Sequence, residues 1–344
     1  MGKYVLKRVL LALLTTFIIL SLTFILIKLL PIDKFVGKPE QRIAYYEEQV
    51  RLGYMSSSKT QLPDETPVDF VTQSDGRVTY YYTVPVMKQY FTWLGNIIFR
   101  WDWGVSKTIQ PNVKATVIIG ERLLTSMKIN IFSVIFSVPI GILLGIWAAL
   151  KKNTMTDHII STAVMVFISV PSFVLITFLM LIFCYNNNIL PTQWPKPTDP
   201  VGQKVLGYIL PVFCLSFGSI CGYCRFVRAE LCEVMSSDYL LLARTKGLTR
   251  KQAIMRHAMK NAMVPIFPSI LAEFIGIMGG SMILESLYGI PGIGKLFITA
   301  LTAKDYNILF VDMAIFTSIS LLAGVVLDLS YGFIDPRIRM GAKK

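Results

Sequence analysis

Residues 129–150 read INIFSVIFSVPIGILLGIWAAL, and no charged side chain interrupts them. Residues 9–27, VLLALLTTFIILSLTFILI, form a second uncharged stretch near the N-terminus. An α-helix rises about 1.5 Å per residue, so either stretch is long enough to cross a hydrocarbon core roughly 30 Å thick. Both stretches therefore predict membrane-spanning helices.

The composition of the whole chain indicates the same class of protein. Of the 344 residues, 53% are hydrophobic and only 16% are charged, and the mean hydropathy is +0.56. A soluble protein of this length would carry more charge on its surface. We therefore expect an all-α polytopic membrane protein with about six transmembrane helices. The predicted spans cover residues 9–30, 123–150, 159–185, 207–229, 262–286 and 308–332.

The formal net charge of +13 raises the question of nucleic-acid binding, but the basic residues do not form a face interleaved with aromatics. They lie in short segments between the apolar spans, as the positive-inside rule predicts for cytoplasmic loops. With six spans all of these segments fall on one side, so both termini are expected in the cytoplasm. The segments contain Lys3, Lys7, Arg8, Lys151, Lys152, Arg244, Lys246, Arg250, Lys251, Arg256, Lys260, Arg337, Arg339, Lys343 and Lys344.

The predicted domain organisation follows from the spans. Residues 1–30 form a first helix that is retained, because Lys28-Leu-Leu-Pro31 does not resemble a signal-peptide cleavage site. Residues 31–120 form a small external insertion between helices 1 and 2. Within it KPEQRIAYYEEQVRLGY predicts an amphipathic helix, and GRVTYYYTVPV predicts a strand after a turn at Ser74-Asp75-Gly76. The insertion is too small to bury a core alone, so we expect it to rest on the membrane domain. The core is expected at 121–336, with a cytoplasmic loop at 237–262 and a tail at 337–344.

Three other chemistries are disfavoured by residue content and spacing. Five cysteines and two histidines form no second CxxC or Cys/His set for zinc. The segment Gly289-Ile-Pro-Gly-Ile-Gly-Lys-Leu296 satisfies GxxxxGK but has Leu where a phosphate-binding loop needs Ser or Thr, so a short re-entrant or external helix is expected after it instead. A polytopic membrane enzyme would need a polar catalytic set at one depth, which scattered carboxylates do not supply.

The segment between the predicted fourth and fifth spans is the most informative. Asp238 is suited to cap one short helix, Gly247 to end it, and Thr249 to cap the next. Two short helices meeting at a glycine would form a rigid knob that fits a groove on another protein. The alternative is a basic loop lying on anionic lipid headgroups.

Several segments together resemble the oligopeptide and dipeptide permease family of ABC importers. ARTKGL at 243–248 followed by RHAMKNAMVP at 256–265 is similar to the "EAA" coupling loop in the form used by that family. Further similar segments, in the family's order, are KRVLLALLTTFIILSLTFILIKLLP (7–31), WLGNIIFRWDWGVS (93–106), SVPSFVL (169–175), ESLYGIPGIGKLFITALTAKDYNI (285–308) and DLSYGFIDPRIR (328–339). The chain departs from the general pattern: the Glu-Ala-Ala positions hold Leu241, Leu242 and Ala243, and the expected proline is Lys260. The resemblance still implies a coupling role for this segment. It does not imply a salt bridge from the Glu of the general pattern, because this chain has leucine at that position.

The resemblance implies a type I ABC importer permease in the cell membrane of a prokaryote. The implied partners are a second homologous permease subunit, one or two cytoplasmic ATPase subunits, an extracytoplasmic substrate-binding protein and the lipid bilayer, with no nucleic acid. ATP and Mg would be bound by the ATPase subunits, so this chain itself is expected to be non-catalytic and to hold no cofactor or metal. The residues expected to act in ATPase coupling are Asp238, Ala243, Arg244, Lys246, Gly247, Leu248 and Thr249.

Candidate residues of the translocation pathway come from the polar content of the spans. Glu273 lies inside the predicted fifth span, where a carboxylate costs about 2.5–3.5 kcal/mol and so tends to face a cavity or a partner. Ser281 and the Gly279-Gly280 pair would let neighbouring backbone approach it. The alternatives for Glu273 are a pairing with a structural base and a position nearer the interface. Pro171 is expected to kink or break the third span, so that freed carbonyls beside Ser169 and Ser172 face the pathway.

The substrate is less closely defined than the machinery. Peptides are expected from the resemblance, and the same permease family also serves nickel or metal chelates, glutathione and other small solutes. A protein of a different class, a secondary transporter, would fit the hydropathy but would not explain the function of the cytoplasmic knob.

Overall fold

A computed structural model describes residues 2–29, 34–63, 65–73, 76–276 and 279–334. The predicted turn residues Ser74 and Asp75, and the predicted tail at 337–344, lie outside the described residues. The chain divides into two compact units. The core unit comprises residues Met1–Val9, Leu123–Lys295 and Ile319–Lys344, and the insertion unit comprises Leu10–Arg122 and Leu296–Ser318.

The fold is mostly helical. The helices are α1 (Gly2–Lys28), α2 (Pro39–Arg51), α3 (Val86–Arg100), α4 (Ala115–Leu150), α5 (Met155–Ile168), α6 (Ser172–Leu179), α7 (Val201–Met235), α8 (Asp238–Thr245), α9 (Arg250–Ala253), α10 (Met259–Gly276), α11 (Met282–Tyr288), α12 (Ile293–Thr302) and α13 (Tyr306–Ile334). A π-helical turn follows α6 at Met180–Asn186, and another joins α9 to α10 at Ile254–Ala258. The strands are β1 (Met55–Ser58), β2 (Asp69–Thr72) and β3 (Val78–Thr83).

Four helices in the described part of the chain are long and apolar enough to cross a membrane. They are Val5–Lys28, Ala115–Leu150, Val201–Met235 and Tyr306–Ser330, which confirms the predicted first, second, fourth and sixth spans. A fifth candidate is the pair Met155–Ile168 and Ser172–Asn186, which is bent by 96°. The bend lies at Pro171, where the sequence predicts a kink, because proline lacks the N–H that would continue the helical hydrogen bonds.

The predicted fifth span, 262–286, is not one helix. α10 ends at Gly276, and α11 begins only at Met282. Between them Gly280 has a φ of +62°, which is the left-handed conformation that ends a helix and that glycine adopts without steric cost. The glycine pair that was expected to permit close packing therefore also interrupts the span.

The insertion unit contains a small antiparallel sheet with the strand order β1-β3-β2. Its own core is aromatic: the Tyr46 ring of α2 stacks on the Tyr81 ring of β3 with 4.6 Å between centroids. The predicted amphipathic helix and the predicted strand are confirmed as α2 and β3. This core is small, and a larger cluster attaches the unit to two long helices.

That second cluster joins the insertion to the ends of α1 and α13. Phe24 of α1 stacks on Trp93 of α3 at 4.6 Å and on Phe310 of α13 at 5.5 Å. Leu52 and Tyr54 pack in the same cluster. Within this unit the insertion therefore packs against the ends of two long apolar helices.

Close backbone contact holds α4 and α7 together in the core unit. A Cβ atom on Gly141 would lie 2.9 Å from the Ile220 carbonyl oxygen, and one on Gly145 would lie 2.7 Å from the Cys224 carbonyl oxygen. Only glycine fits at such contacts, so the GILLG sequence of α4 determines how near the two helices approach.

Candidate coupling segment and translocation residues

The segment predicted to couple to another protein forms two short helices that meet at a glycine. α8 ends at Thr245, and Gly247 follows with a φ of +94°, so the predicted helix stop is confirmed. Thr249 caps α9: its hydroxyl accepts the Gln252 N–H at 3.3 Å, and its own N–H donates to the Gln252 side chain at 3.1 Å. This reciprocal pair is a capping box, which makes the start of α9 rigid.

The predicted cap at the start of α8 is wrong by one residue. Ser237 occupies the N-cap position, and Asp238 is the first helical residue. A carboxylate in the first turn still interacts favourably with the helix dipole, so Asp238 stabilises α8 through charge rather than as the cap.

Apolar side chains attach the segment to the ends of two long helices. Leu240 of α8 and Ala253 and Ile254 of the next turn are buried against Ala149 of α4 and Leu231 of α7. Ala258, Ala262 and the half-buried Leu248 extend the same cluster. A displacement of α8 and α9 would therefore be transmitted directly to α4 and α7.

The predicted coupling residues do not all lie on the surface. Ala243 and Leu248 are half-buried, so Leu248 acts mainly as an anchor in the cluster beneath. The remaining predicted residues are exposed together on the outer side: Asp238, Arg244, Lys246, Gly247 and Thr249.

Two coupling candidates were missed. Leu241 and Leu242 expose 61% and 57% of their surface on α8. Exposed leucines side by side outside a membrane span are unusual, and they indicate a protein-binding surface. The sequence held a signal for them, because both stand where the general pattern of the resembled family has Glu and Ala.

A polar cleft of about 480 Å³ lies beside this surface. It is lined by residues of α8 and of the ends of α4 and α7, and its charged lining residues are Lys152, Asp238, Arg244 and Arg250. The segment thus combines an exposed apolar ridge, Leu241 and Leu242, with a neighbouring cleft of mainly positive charge.

A buried ion pair fixes the turn that precedes α5 to α7. The Arg228 Nη2 and Nε atoms donate to the two carboxylate oxygens of Asp157, at 2.8 and 2.5 Å. Asp157 is fully buried, and it also accepts the Asn153 N–H at 3.0 Å and the Ser161 hydroxyl at 3.2 Å. Neither residue stands out in the sequence, because their pairing depends on contact between helices that are far apart in the chain.

The predicted pathway residue Glu273 lies on α10 and is half-buried. On the neighbouring turn of the same helix, the Ser269 carbonyl oxygen accepts the Tyr223 hydroxyl of α7 at 3.2 Å. Pro171 and Ser172 are exposed at the 96° bend, on another part of the core unit.

Ser281 belongs to a compact loop centred on a carboxylate that was not predicted. Glu285 is 3% exposed and accepts hydrogen bonds from the Ser126 hydroxyl at 2.6 Å, the Lys295 N–H at 2.9 Å and the Ser281 N–H at 3.3 Å. Gly292 faces this carboxylate so closely that a Cβ atom there would lie 2.3 Å from the Glu285 Cδ atom. The GIPGIG loop thus encloses a carboxylate of its own chain. The short helix expected after it is α12.

Asp328 has a structural partner. Its carboxylate lies 3.0 Å from the Arg8 guanidinium, so it ties the last long helix to the start of the first. Asp335, the second acidic residue of the segment DLSYGFIDPRIR (328–339), lies outside the described residues.

Comparison with known families identifies the core. Residues 141–340 match the family described as "Binding-protein-dependent transport system inner membrane component". The chain belongs to this family. The match includes the α8–α9 segment, the Glu285 loop and the last long helix, so four of the six segments that carried the resemblance lie in the part that defines the family, and the segments at 7–31 and 93–106 lie before it.

Curated relatives of this inner membrane component extend over its whole length. It is 31% identical to the dipeptide transport system permease protein DppB of Lactococcus lactis, over 99% of this chain and 100% of that protein. It is 29% identical to the oligopeptide transport system permease protein OppB of Haemophilus influenzae, over 98% of this chain and 100% of that one. The dipeptide permease protein DppB of Bacillus subtilis is 26% identical over the full length of both chains. The sequence-based family assignment is thereby confirmed.

A solved structure shares the fold of this inner membrane component. A chain of the inward-facing MetNI methionine ABC transporter superposes with a TM-score of 0.51 and 15% sequence identity, covering 64% of this chain and 97% of that one. The all-α permease architecture of an ABC importer is therefore shown.

Proposed function

We propose that this chain is a transmembrane permease subunit of an ATP-driven importer and forms half of the translocation pathway for peptides. The observation that carries the proposal is full-length similarity to dipeptide and oligopeptide transport system permease proteins. The substrate would be an oligopeptide or a dipeptide delivered by an external binding protein. Nickel or metal chelates, glutathione and other small solutes remain alternatives for the same machinery.

In this proposal the α8–α9 segment is the contact with a cytoplasmic ATPase subunit. Leu241 and Leu242 would insert into an apolar groove of that subunit, and Arg244 and Lys246 would contact its surface beside them. Because Leu240 and Ile254 pack against α4 and α7, movement of the ATPase would move the spanning helices as one body. Rigid attachment of this kind is what transmission of a domain movement requires.

The partners follow from the same assignment. A second homologous permease subunit would complete the pathway, and one or two ATPase subunits would bind ATP and Mg. This chain would then be the non-catalytic part of the complex. An extracytoplasmic binding protein would supply the substrate, and residues 31–120 would face that side.

The proposed topology places both termini in the cytoplasm of a prokaryotic cell, with residues 121–336 as the core domain. The basic residues near α8 and at the start of α1 support it, since cytoplasmic loops are enriched in lysine and arginine. Cysteine accessibility on either side of the membrane would test this orientation directly.

Glu273 and Ser281 are proposed to line the pathway, together with the bend at Pro171 and Ser172. The half-buried position of Glu273 supports a polar lining there. If Glu273→Gln left the transport rate and the substrate range unchanged, the role in the pathway would be abandoned.

The coupling proposal is tested by expressing the chain with its genomic neighbours and comparing Gly247→Asp with Gly76→Asp. Both glycines are exposed, have positive φ and have no atom within 4 Å of a built Cβ atom, so the two substitutions impose similar backbone strain. We expect Gly247→Asp to release or uncouple the ATPase subunits, and Gly76→Asp to retain them. Equal retention in both variants would contradict a coupling role for α8 and α9.

The competing class, a secondary transporter, predicts a different result in the same preparation. A secondary transporter would purify without soluble ATPases and would move solute in vesicles without ATP. Uptake that depends on ATP and on an added binding protein supports the importer.

A further inference from the structure

α3 of the insertion unit carries apolar side chains on its outward side as well as on the inward side that packs in the Phe24–Trp93 cluster. The buried residues of this helix include Gln89 and Asn96 beside Trp93. Met87, Phe91 and Ile98 point the other way, and 56%, 63% and 61% of their surfaces are exposed. These three positions lie within about 40° of one another on a helix with 3.6 residues per turn, so they form one stripe.

Exposed aromatic side chains also lie in the last turn of the helix and directly after its end. Phe99 exposes 85% of its surface and Trp101 exposes 72%. A surface helix of a soluble domain exposes a polar side to water, so this outward apolar surface is suited to be covered by something apolar.

The contacts of α3 show where in the molecule this surface lies. The Tyr90 hydroxyl is 2.9 Å from the Ser21 hydroxyl of α1, and the Trp93 ring stacks on Phe24. Ser21 is about 10 Å from the end of α1 at 1.5 Å per residue. α3 therefore crosses the last two turns of a helix that is long and apolar enough to span the membrane.

The exposed residues of α1 next to this crossing are also apolar. Leu22 and Leu26 are both more than half exposed, as are Leu10 and Leu13 further along the helix. The outward stripe of α3 thus continues a surface that a bilayer already has to cover. The residues at the ends of α3 suit the boundary of that bilayer: Lys88 and Arg100 are exposed cations, and Trp101 is an amphipathic ring.

We propose that α3 lies in the plane of the membrane interface, with Met87, Phe91, Ile98, Phe99 and Trp101 buried among lipid acyl chains. Lys88 and Arg100 contact anionic headgroups at its two ends. The insertion is thereby held at a defined height on the bilayer. Lipid is favoured over a protein partner because the stripe offers apolar side chains only and is continuous with the apolar surface of α1. This inference goes beyond the transport role, since it concerns the part of the chain that lies outside the matched family region.

The test measures the environment of single spin labels on the full-length chain in nanodiscs of phosphatidylethanolamine and phosphatidylglycerol. Labels are placed at Phe91→Cys and Ile98→Cys in a background in which the native cysteines are replaced. Leu14→Cys on α1 is the lipid control, and Ser57→Cys on exposed β1 is the water control. Accessibility to oxygen, which partitions into lipid, is compared with accessibility to a water-soluble nickel chelate.

We expect the oxygen-to-nickel accessibility ratio at Phe91 and Ile98 to resemble that at Leu14 and to exceed that at Ser57 several-fold. A ratio like that of Ser57 would show a water-exposed face and would overturn the proposal. Low accessibility to both reagents would show that a protein, such as a second permease or a binding protein, covers the stripe, and would also overturn it. If either variant fails to fold, Met87→Cys on the same stripe gives the same comparison. Because the readout is lipid contact, the result is independent of whether the chain transports peptides.

Discussion

The Ser126 hydroxyl donates a 2.6 Å hydrogen bond to the Glu285 carboxylate and accepts the Ile293 N–H at 2.9 Å. Two residues far apart in the chain thus organise the glycine-rich loop between α11 and α12 from its inside. A buried carboxylate is tolerated there because several donors replace the water it loses.

Neutralising this carboxylate should destabilise the core unit. We expect Glu285→Gln to cost roughly 1.5–3 kcal/mol, because hydrogen bonds to a charged acceptor are lost and an amide nitrogen would face the donors. Thermal unfolding in detergent measures the change. Glu233→Gln, an exposed carboxylate on α7, is the matched control and should unfold like the unaltered chain. Equal unfolding temperatures for both variants would show that the Glu285 hydrogen bonds contribute little.

The Asp157–Arg228 pair should behave as a coupled unit. Removing one partner, as in Arg228→Met or Asp157→Asn, leaves a desolvated charge or amide. Breaking a buried pair in this way lowers the free energy of unfolding by roughly 3 kcal/mol, which is the lower end of the usual range. The lower end applies because the Arg228 side chain is 32% exposed. The double variant should lose less than the sum of the single variants. Strict additivity of the two losses would show that the residues act independently.

Asp305 should hold the segment after α3 in place. Its Oδ2 atom accepts the Ser106 hydroxyl at 2.6 Å and the N–H groups of Lys107 and Thr108, each at 2.9 Å. Asp305→Asn replaces a charged acceptor with a neutral amide, so residues 106–109 should become easier to cleave by a protease. Glu47→Gln, at an exposed position of α2, controls for the change of charge. Cleavage rates that match those of the control variant would argue against this anchoring role.

The stability of the insertion unit should depend on pH through Asp69. Burial tends to raise the pKa of this carboxyl, but hydrogen bonds from Arg42 at 2.6 Å and from the Tyr46 hydroxyl at 2.7 Å outweigh it and hold the pKa below its ordinary value. A lowered folded-state pKa contributes stability above the ordinary aspartate pKa, and this contribution is lost as the pH falls toward the folded-state pKa.

The check compares the pH dependence of unfolding in the unaltered chain and in Asp69→Asn. The variant should be less stable near neutral pH, and the difference should shrink on acidification below the ordinary aspartate pKa. A difference that stays constant across that range would mean that Asp69 does not titrate as described.

Substitutions of the exposed and the buried leucines of α8 should distinguish an effect on binding from an effect on folding. Leu241→Asp and Leu242→Asp change exposed side chains, so they should leave the thermal stability nearly unchanged and should weaken association with the ATPase subunits. Leu240→Ala changes a buried side chain and should cost about 2–5 kcal/mol of stability. Pull-down and thermal unfolding on the same preparations distinguish the two effects. Undiminished association of both aspartate variants would remove these leucines from the proposed contact.

Periodicity and local capping signals were sufficient for several features. Gly247 and Thr249 adopt the predicted stop and cap, and Pro171 lies at the predicted break, because each depends on the conformational limits of one residue. The N-cap of α8 was misplaced because Ser237 and Asp238 are both good capping residues, and only the packed position of Leu240 decides between them.

Other features depend on contacts that local sequence does not encode. The pairing of Asp157 with Arg228, the donors around Glu285 and the hydrogen bond from Tyr223 to the Ser269 carbonyl each join segments that are distant in the chain. The break between α10 and α11 was likewise missed. Hydropathy depends only on composition, so it predicts one span across residues 262–286. It cannot detect that the backbone adopts a left-handed conformation at Gly280.

The sequence by itself determined the class of this protein, its family and the position of the α8–α9 segment. The length of apolar stretches, the placement of charges and the turn residues act locally, so each can be recognised in a short stretch of sequence. Only the tertiary structure decided which carboxylates are buried, which leucines of α8 are exposed and which side of α3 faces outward. Those properties depend on what packs against each residue, and the packing partners come from distant parts of the chain.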